Sequence, residues 1–120
     1  ASDIVSLHTA LTTETQGMVG RSQLSQMKDG AILINTARGA LVDEAALSDE
    51  LRTGRLRAGL DVYTEEPLPN TSAFRELPGC VVLPHVGSAT QRTRQAMFQL
   101  ALANLMAGVT DAELPAAVRL

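Results

Sequence analysis

Four short aliphatic runs constrain this chain more than any other feature. They are Ile4–Leu7, closed by His8; Ala31–Ile34, followed by Asn35; Ala58–Tyr63, which carries Asp61; and Val81–Leu83, stopped by Pro84. Runs this short and this continuously apolar suit strands buried on both faces, the habit of parallel sheets. The intervening segments carry helix and turn signals. Ser22 can cap a short helix containing Leu24 and Met27, which Lys28-Asp29-Gly30 ends. Asp43 stands at an N-cap position, Leu47 and Leu51 share one helical face, and Gly54 follows as a stop. The stretch from Glu65 to Pro78 carries Pro67, Pro69 and Pro78 and is predicted to be a loop with one short turn around Ser72–Leu77. The longest helix is predicted from about Ser88 to Ala107. Its stripe of Phe98, Ala101, Leu102 and Leu105 is widened by Met97 and Leu100, and Gly108 terminates it. The tail from Thr110 to Leu120 contains Pro115 and has no clear periodicity.

Strands alternating with helices at this spacing imply a parallel sheet in an α/β fold. Right-handed crossovers put the C-terminal ends of such strands along one edge, where ligands of open α/β sheets bind. The polar residues fall there: His8 and Thr9 after the first run, Asn35 to Arg38 after the second, Asp61 near the end of the third, and His85 after the fourth.

Composition narrows the function classes. A length of 120 residues suits one domain or a piece of a larger one. With no Trp, one Tyr and two Phe, the core must be built mostly from Leu, Val, Ile and Ala. A net charge of −3 with both signs interspersed leaves no basic stripe for nucleic acid. No apolar run reaches the length of a membrane span, and Ala1-Ser2-Asp3-Ile4 lacks the regions of a signal peptide. Cys80 stands alone, which excludes an internal disulfide and fits a reducing compartment. A soluble, cytoplasmic protein is expected. Neither HxH nor HExxH spacing occurs, so no metal site is expected.

Three side chains at the sheet edge complement one reaction. Arg38 offers a planar fork that matches a carboxylate and can polarise an adjacent carbonyl. His85 can hold a proton near neutral pH and deliver it to a developing alkoxide. A carboxylate such as Glu66 beside that histidine favours the imidazolium and fixes its orientation. Together they suit reduction of a 2-keto acid. His8, which ends a buried strand before a Thr-rich loop, is assigned a structural hydrogen-bonding role instead.

The chain resembles the D-isomer-specific 2-hydroxyacid dehydrogenases. The resemblance is carried, in family order, by Ser2-Asp3-Ile4-Val5-Ser6-Leu7-His8, by Met27-Lys28-Asp29-Gly30-Ala31 and by Leu33 to Asp43. It continues through Gly59-Leu60-Asp61-Val62-Tyr63, Glu66-Pro67-Leu68-Pro69 and Pro84-His85-Val86-Gly87-Ser88-Ala89-Thr90. The Gly87-Ser88-Ala89-Thr90 run with Arg92-Thr93-Arg94, and the closing Ala107-Gly108 and Leu114-Pro115, are similar to the glyoxylate/hydroxypyruvate reductase branch.

The resemblance implies an NAD- or NADP-dependent oxidoreductase. Arg38 would bind the substrate carboxylate and carbonyl, His85 would donate the proton, and Glu66 would be its carboxylate partner. Thr9, Ala10, Thr36 and Ala37 would line the nicotinamide side of the cleft, and Asp61 would orient that end of the cofactor. Gly87 would allow close backbone approach to the cofactor, and Ser88 would lie next to the substrate. The partners implied are a small 2-keto or 2-hydroxy acid and a second copy of the parent in a homodimer.

Three departures stand out. Gly54 to Leu60 is one residue shorter than the usual family run, and Ala10 replaces a common Pro. No GxGxxG occurs, since Gly17 and Gly20 follow no long buried strand. The family places that fingerprint, which seats the pyrophosphate at a helix N-terminus, upstream of the matched segments. The expected organisation is therefore the second half of a Rossmann-like nucleotide-binding domain over 1–87, then a helix returning to the substrate domain with a tail over 88–120. By itself this polypeptide is expected to lack useful catalytic activity. The competing expectations are a non-catalytic binding module like the C-terminal binding protein corepressors, or a degenerate paralogue. The Gly-Ser-Ala-Thr run, from which those corepressors diverge, favours the enzyme.

Overall fold

Each aliphatic run forms a strand, and the four strands lie parallel in one sheet in chain order: β1 (Ile4–Leu7), β2 (Ile32–Asn35), β3 (Arg57–Leu60) and β4 (Cys80–Val82). The computed structural model describes residues 2–117; Ala1 and the last three residues of the tail, 118–120, lie outside the described residues. Ile4 pairs with Ile32, Ile32 with Arg57 and Ala58 with Cys80, so every crossover steps to the neighbouring strand. The C-terminal ends of β1, β2, β3 and β4 consequently align, and the loops that follow them meet at one edge.

Helices lie on the first two crossovers, α1 (Arg21–Ser25) between β1 and β2 and α2 (Glu44–Arg52) between β2 and β3, while the prolyl loop makes the third. Asp43 caps α2 as its spacing predicts, with Oδ1 accepting the Ala46 N–H at 3.0 Å. Leu47 and Leu51 on that helix are buried with Leu24, Leu33, Leu41 and Leu56 in one aliphatic core. Arg55 fixes the far end of α1. Its Nη2 donates to Leu24 O at 2.7 Å and its Nη1 to Met27 O at 2.8 Å, while Nε pairs with the Glu50 carboxylate at 2.6 Å. These bonds satisfy carbonyls that a helix C-terminus leaves without intrahelical partners.

Several boundaries differ from the sequence expectation for identifiable reasons. The N-cap of α1 is Gly20 rather than Ser22; the Gln23 side chain accepts the Gly20 N–H at 3.1 Å, and Ser22 lies inside the helix. The third strand ends at Leu60 instead of Tyr63. The Asp61 N–H still donates to Asn35 O at 3.0 Å, but the Tyr63 N–H turns to the Glu66 side chain. The prolyl loop contains one 3-10 turn, Ala73–Arg75, inside the predicted Ser72–Leu77.

By its contacts the chain divides into two compact units, residues 1–85 and 86–120. The second contains α3 (Gln91–Val109). That helix starts three residues later than predicted because Thr90 Oγ1 accepts the Thr93 N–H at 3.1 Å and so caps it. Gly108 falls within its last turn rather than ending it; Thr110 closes the helix, its hydroxyl donating to Met106 O at 2.9 Å. Among the described residues no helix is long and apolar enough to cross a membrane.

Candidate active site

The turn after β2 places Arg38. Asn35, the last residue of that strand, is buried, and its amide braces the turn from both sides. Oδ1 accepts the Ala37 N–H at 3.1 Å and Nδ2 donates to Arg38 O at 2.9 Å. Asn side chains commonly bond the backbone two residues on in this way. The Arg38 guanidinium spends Nη1 on Ala37 O at 2.6 Å, one bond of a five-donor group.

Gly39 then brings this turn against the segment after β3. A Cβ at Gly39 would fall on the backbone C and O of Tyr63 and the N of Thr64, well inside van der Waals contact. Only a glycine lets the two loops approach this closely. Glu44 holds the same segment from α2, its Oε1 accepting the Thr64 N–H at 2.7 Å.

Glu66 and His85 meet across that segment. His85 Nδ1 lies 2.6 Å from Glu66 Oε2, and Glu66 Oε1 accepts the Tyr63 N–H at 3.0 Å. The carboxylate is thus held at both oxygens. The peptide bond between Glu66 and Pro67 is cis. His85 sits at φ 55°, in the left-handed region that few residues with a side chain occupy and that clusters at functional sites.

The imidazole of His85 first, and then the Tyr63 N–H, hold the Glu66 carboxyl below its ordinary value, against a smaller opposing effect of desolvation. Arg38 adds a weaker push in the same direction. A carboxylate lowered in this way keeps its pairing above the usual Glu range and loses it only as pH falls through the lowered value.

Arg38, Glu66 and His85 line one cleft of about 360 Å³ together with Leu11, Gly39, Tyr63 and Thr64. An adjoining cleft of about 510 Å³ lies between the loops after β1 and β2. His8, Thr9, Ala10, Thr36, Ala37 and Arg38 line it. Six positions singled out in the sequence therefore fall in two clefts that share Arg38: Thr9, Ala10, Thr36, Ala37, Glu66 and His85. Asp61 is buried at the end of β3. Gly87 and Ser88 belong to the second unit, in the turn that the Ala89 N–H closes on Val86 O at 2.9 Å. His8 bonds Ser6 Oγ through Nε2 at 2.8 Å, a local contact. Cys80 is half-buried and its thiol is pushed up to about 11 by burial, so it is a poor nucleophile near neutral pH. Among the described residues no group of three or more His, Cys, Asp or Glu side chains could hold a metal ion.

Known proteins share this fold. Residues 1–87 match the family model described as the D-isomer-specific 2-hydroxyacid dehydrogenase NAD-binding domain. A glyoxylate/hydroxypyruvate reductase B from Pectobacterium carotovorum is 50% identical over 110 residues, covering 91% of this chain and 34% of that protein. A glyoxylate reductase from Thermococcus litoralis is 50% identical over 107 residues, covering 88% of this chain and 32% of the relative. The chain thus spans about a third of the length of the curated relatives it matches. Among solved structures, the TT0316 protein from Thermus thermophilus superposes with a TM-score of 0.94 at 50% identity, over 98% of this chain and 38% of that one. D-lactate dehydrogenase from Lactobacillus jensenii, solved with NAD+, superposes with a TM-score of 0.87 at 31% identity, over 99% of this chain and 40% of that one. With the family model matched over most of its residues, the chain belongs to the D-isomer-specific 2-hydroxyacid dehydrogenase family.

Proposed function

We propose that the full-length protein reduces a small 2-keto acid of the glyoxylate or hydroxypyruvate kind to the D-2-hydroxy acid, using NADH or NADPH. The observation that carries this reading is the 2.6 Å contact of His85 Nδ1 with Glu66 Oε2, in a cleft shared with Arg38. Relatives named for glyoxylate and hydroxypyruvate reduction support the substrate class.

Each residue has a distinct task. Arg38 pairs with the substrate carboxylate through its fork and draws the neighbouring carbonyl oxygen toward positive charge. Glu66 accepts the Nδ1 proton of His85 and so directs Nε2 at the substrate. Nε2 gives its proton to the carbonyl oxygen as that oxygen becomes an alkoxide. A reduced nicotinamide held beside Arg38 would supply the hydride for the keto carbon. The cleft beside Arg38 fits such a flat ring, because Thr9, Ala10, Thr36 and Ala37 line it with small side chains. Asp61, at the end of β3, orients that end of the cofactor. Nε2 recovers its proton from solvent before the next turnover. The lone Cys80 thiol suits a reducing cytoplasm, and the working assembly is a homodimer.

The Arg38→Gln variant of the full-length protein tests this reading. Loss of a charge-assisted, bidentate contact raises KM for glyoxylate or hydroxypyruvate by roughly 100-fold. The dissociation constant for NADPH or NADH, read by fluorescence titration, stays within about twofold. An unchanged KM contradicts the carboxylate-binding role.

A further inference from the structure

We infer that Tyr63 is the positioning residue of the histidine–carboxylate pair: its backbone holds Glu66, and its hydroxyl holds the strand end that carries His85. This inference rests on the reading of His85 as proton donor and concerns how that donor is kept in register.

The contacts close a ring. The Tyr63 N–H donates to Glu66 Oε1 at 3.0 Å, and Glu66 Oε2 lies 2.6 Å from His85 Nδ1. His85 follows Pro84 and Leu83, and the backbone of Leu83 returns to the Tyr63 side chain. The phenol oxygen lies 2.8 Å from Leu83 O and 2.9 Å from Leu60 O, and it accepts the Leu83 N–H at 3.1 Å. The hydroxyl has one proton and can donate to one carbonyl at a time. The Leu83 N–H is shared between the phenol oxygen and Leu60 O, at 3.1 and 2.9 Å, and the phenol proton has its shorter contact with Leu83 O. The ring is buried, and burial pushes the phenol pKa up, so the hydroxyl remains a donor at neutral pH.

The geometry explains why one residue can govern both members of the pair. His85 is held at φ 55°, a conformation that surrounding contacts must maintain. Proline at 84 has no N–H to contribute, so the nearest backbone N–H before His85 is that of Leu83. Both polar groups of Leu83 meet the Tyr63 hydroxyl. A phenylalanine at this position would keep the ring packing and the backbone bond to Glu66. It would release Leu83 O and loosen the left-handed turn at His85. The predicted consequence is a histidine still near its carboxylate but no longer fixed in one orientation.

The test is Tyr63→Phe in the full-length protein, with two readouts. In steady-state reduction of hydroxypyruvate, kcat falls about tenfold while KM and the cofactor dissociation constant stay within about twofold, as expected for a misplaced proton donor. In protein labelled with 15N-histidine, the ring nitrogens of neutral His85 report its tautomer. The Nδ1–H form dominates in the wild type, and the variant shows a mixture with the Nε2–H form. An unchanged tautomer overturns the inference, whether or not the unfolding midpoint drops, because packing alone would then be the role of Tyr63. An altered tautomer with unaltered kcat overturns it equally. Should His85→Asn keep full turnover, the proton-donor reading fails by itself, and the tautomer readout still decides whether Tyr63 orients the ring.

Discussion

Replacing His85 with Asn in the full-length protein lowers kcat for 2-keto acid reduction by about 1,000-fold, the middle of the range for a positioned general acid. Asparagine is the right replacement because it tolerates the left-handed backbone that His85 adopts at φ 55°. A bulkier or β-branched residue would confound loss of the proton donor with a distorted turn. Asparagine can still meet Glu66 but has no proton to give near neutral pH. Cofactor affinity is expected to persist, since the cleft lined by Thr9, Ala10, Thr36 and Ala37 is formed by other loops. Turnover assays under cofactor saturation separate the two effects. Turnover within about threefold of wild type would remove His85 from the chemistry.

The second large effect is structural and arises at Gly39. One methyl group there meets the backbone of Tyr63 and Thr64, and no side-chain rotation can relieve it. The Gly39→Ala variant must push apart the Arg38 turn and the loop that supports Glu66. Overpacking of a buried site typically costs about 1–3 kcal/mol and occasionally more; about 3 kcal/mol is expected here, because backbone must move. Denaturant unfolding of the full-length protein reads that cost. The same displacement moves the guanidinium relative to the His85–Glu66 pair, and kcat/KM falls about 100-fold in the surviving folded protein. A Gly39→Ala protein with wild-type unfolding and wild-type kcat/KM would show that the close approach is not needed.

The sheet is legible in the sequence because each strand lies on a short, mostly aliphatic run; β2 and β3 bury alternate residues, whereas Ile4 of β1 and Val81 of β4 are exposed. β1 matches its expected span, and β2 and β4 shift by a single residue. The cap at Asp43 is legible too, because an N-cap is a local device whose partner, the Ala46 N–H, lies in the same turn. Arg38, Glu66 and His85 emerge as a set, by chemistry and by family resemblance, rather than from any one position.

What sequence reasoning misses depends on contacts between distant segments. Gly39 adopts no unusual backbone conformation that a turn motif would announce. Its requirement comes from Tyr63 and Thr64, which reach it only in the folded sheet. The Tyr63 hydroxyl likewise bonds Leu83 across two strands, so its position at the end of a strand-like run says nothing of that role. Asn35 carries a faint signal, since Asn after a strand commonly braces the following turn. The start of α3 differs from expectation for the opposite reason. Apolar periodicity marks a helix but not its first turn, and Thr90 supplies the cap that fixes it.

The cleft shared by Arg38, Glu66 and His85 is where we propose that the full-length protein reduces a 2-keto acid. Incubation of the full-length protein with hydroxypyruvate and NADPH or NADH, followed by chiral resolution of the product, tests it most directly. D-glycerate formed in step with nicotinamide oxidation is the predicted result. No nicotinamide oxidation at saturating hydroxypyruvate or glyoxylate, or formation of L-glycerate, would contradict it.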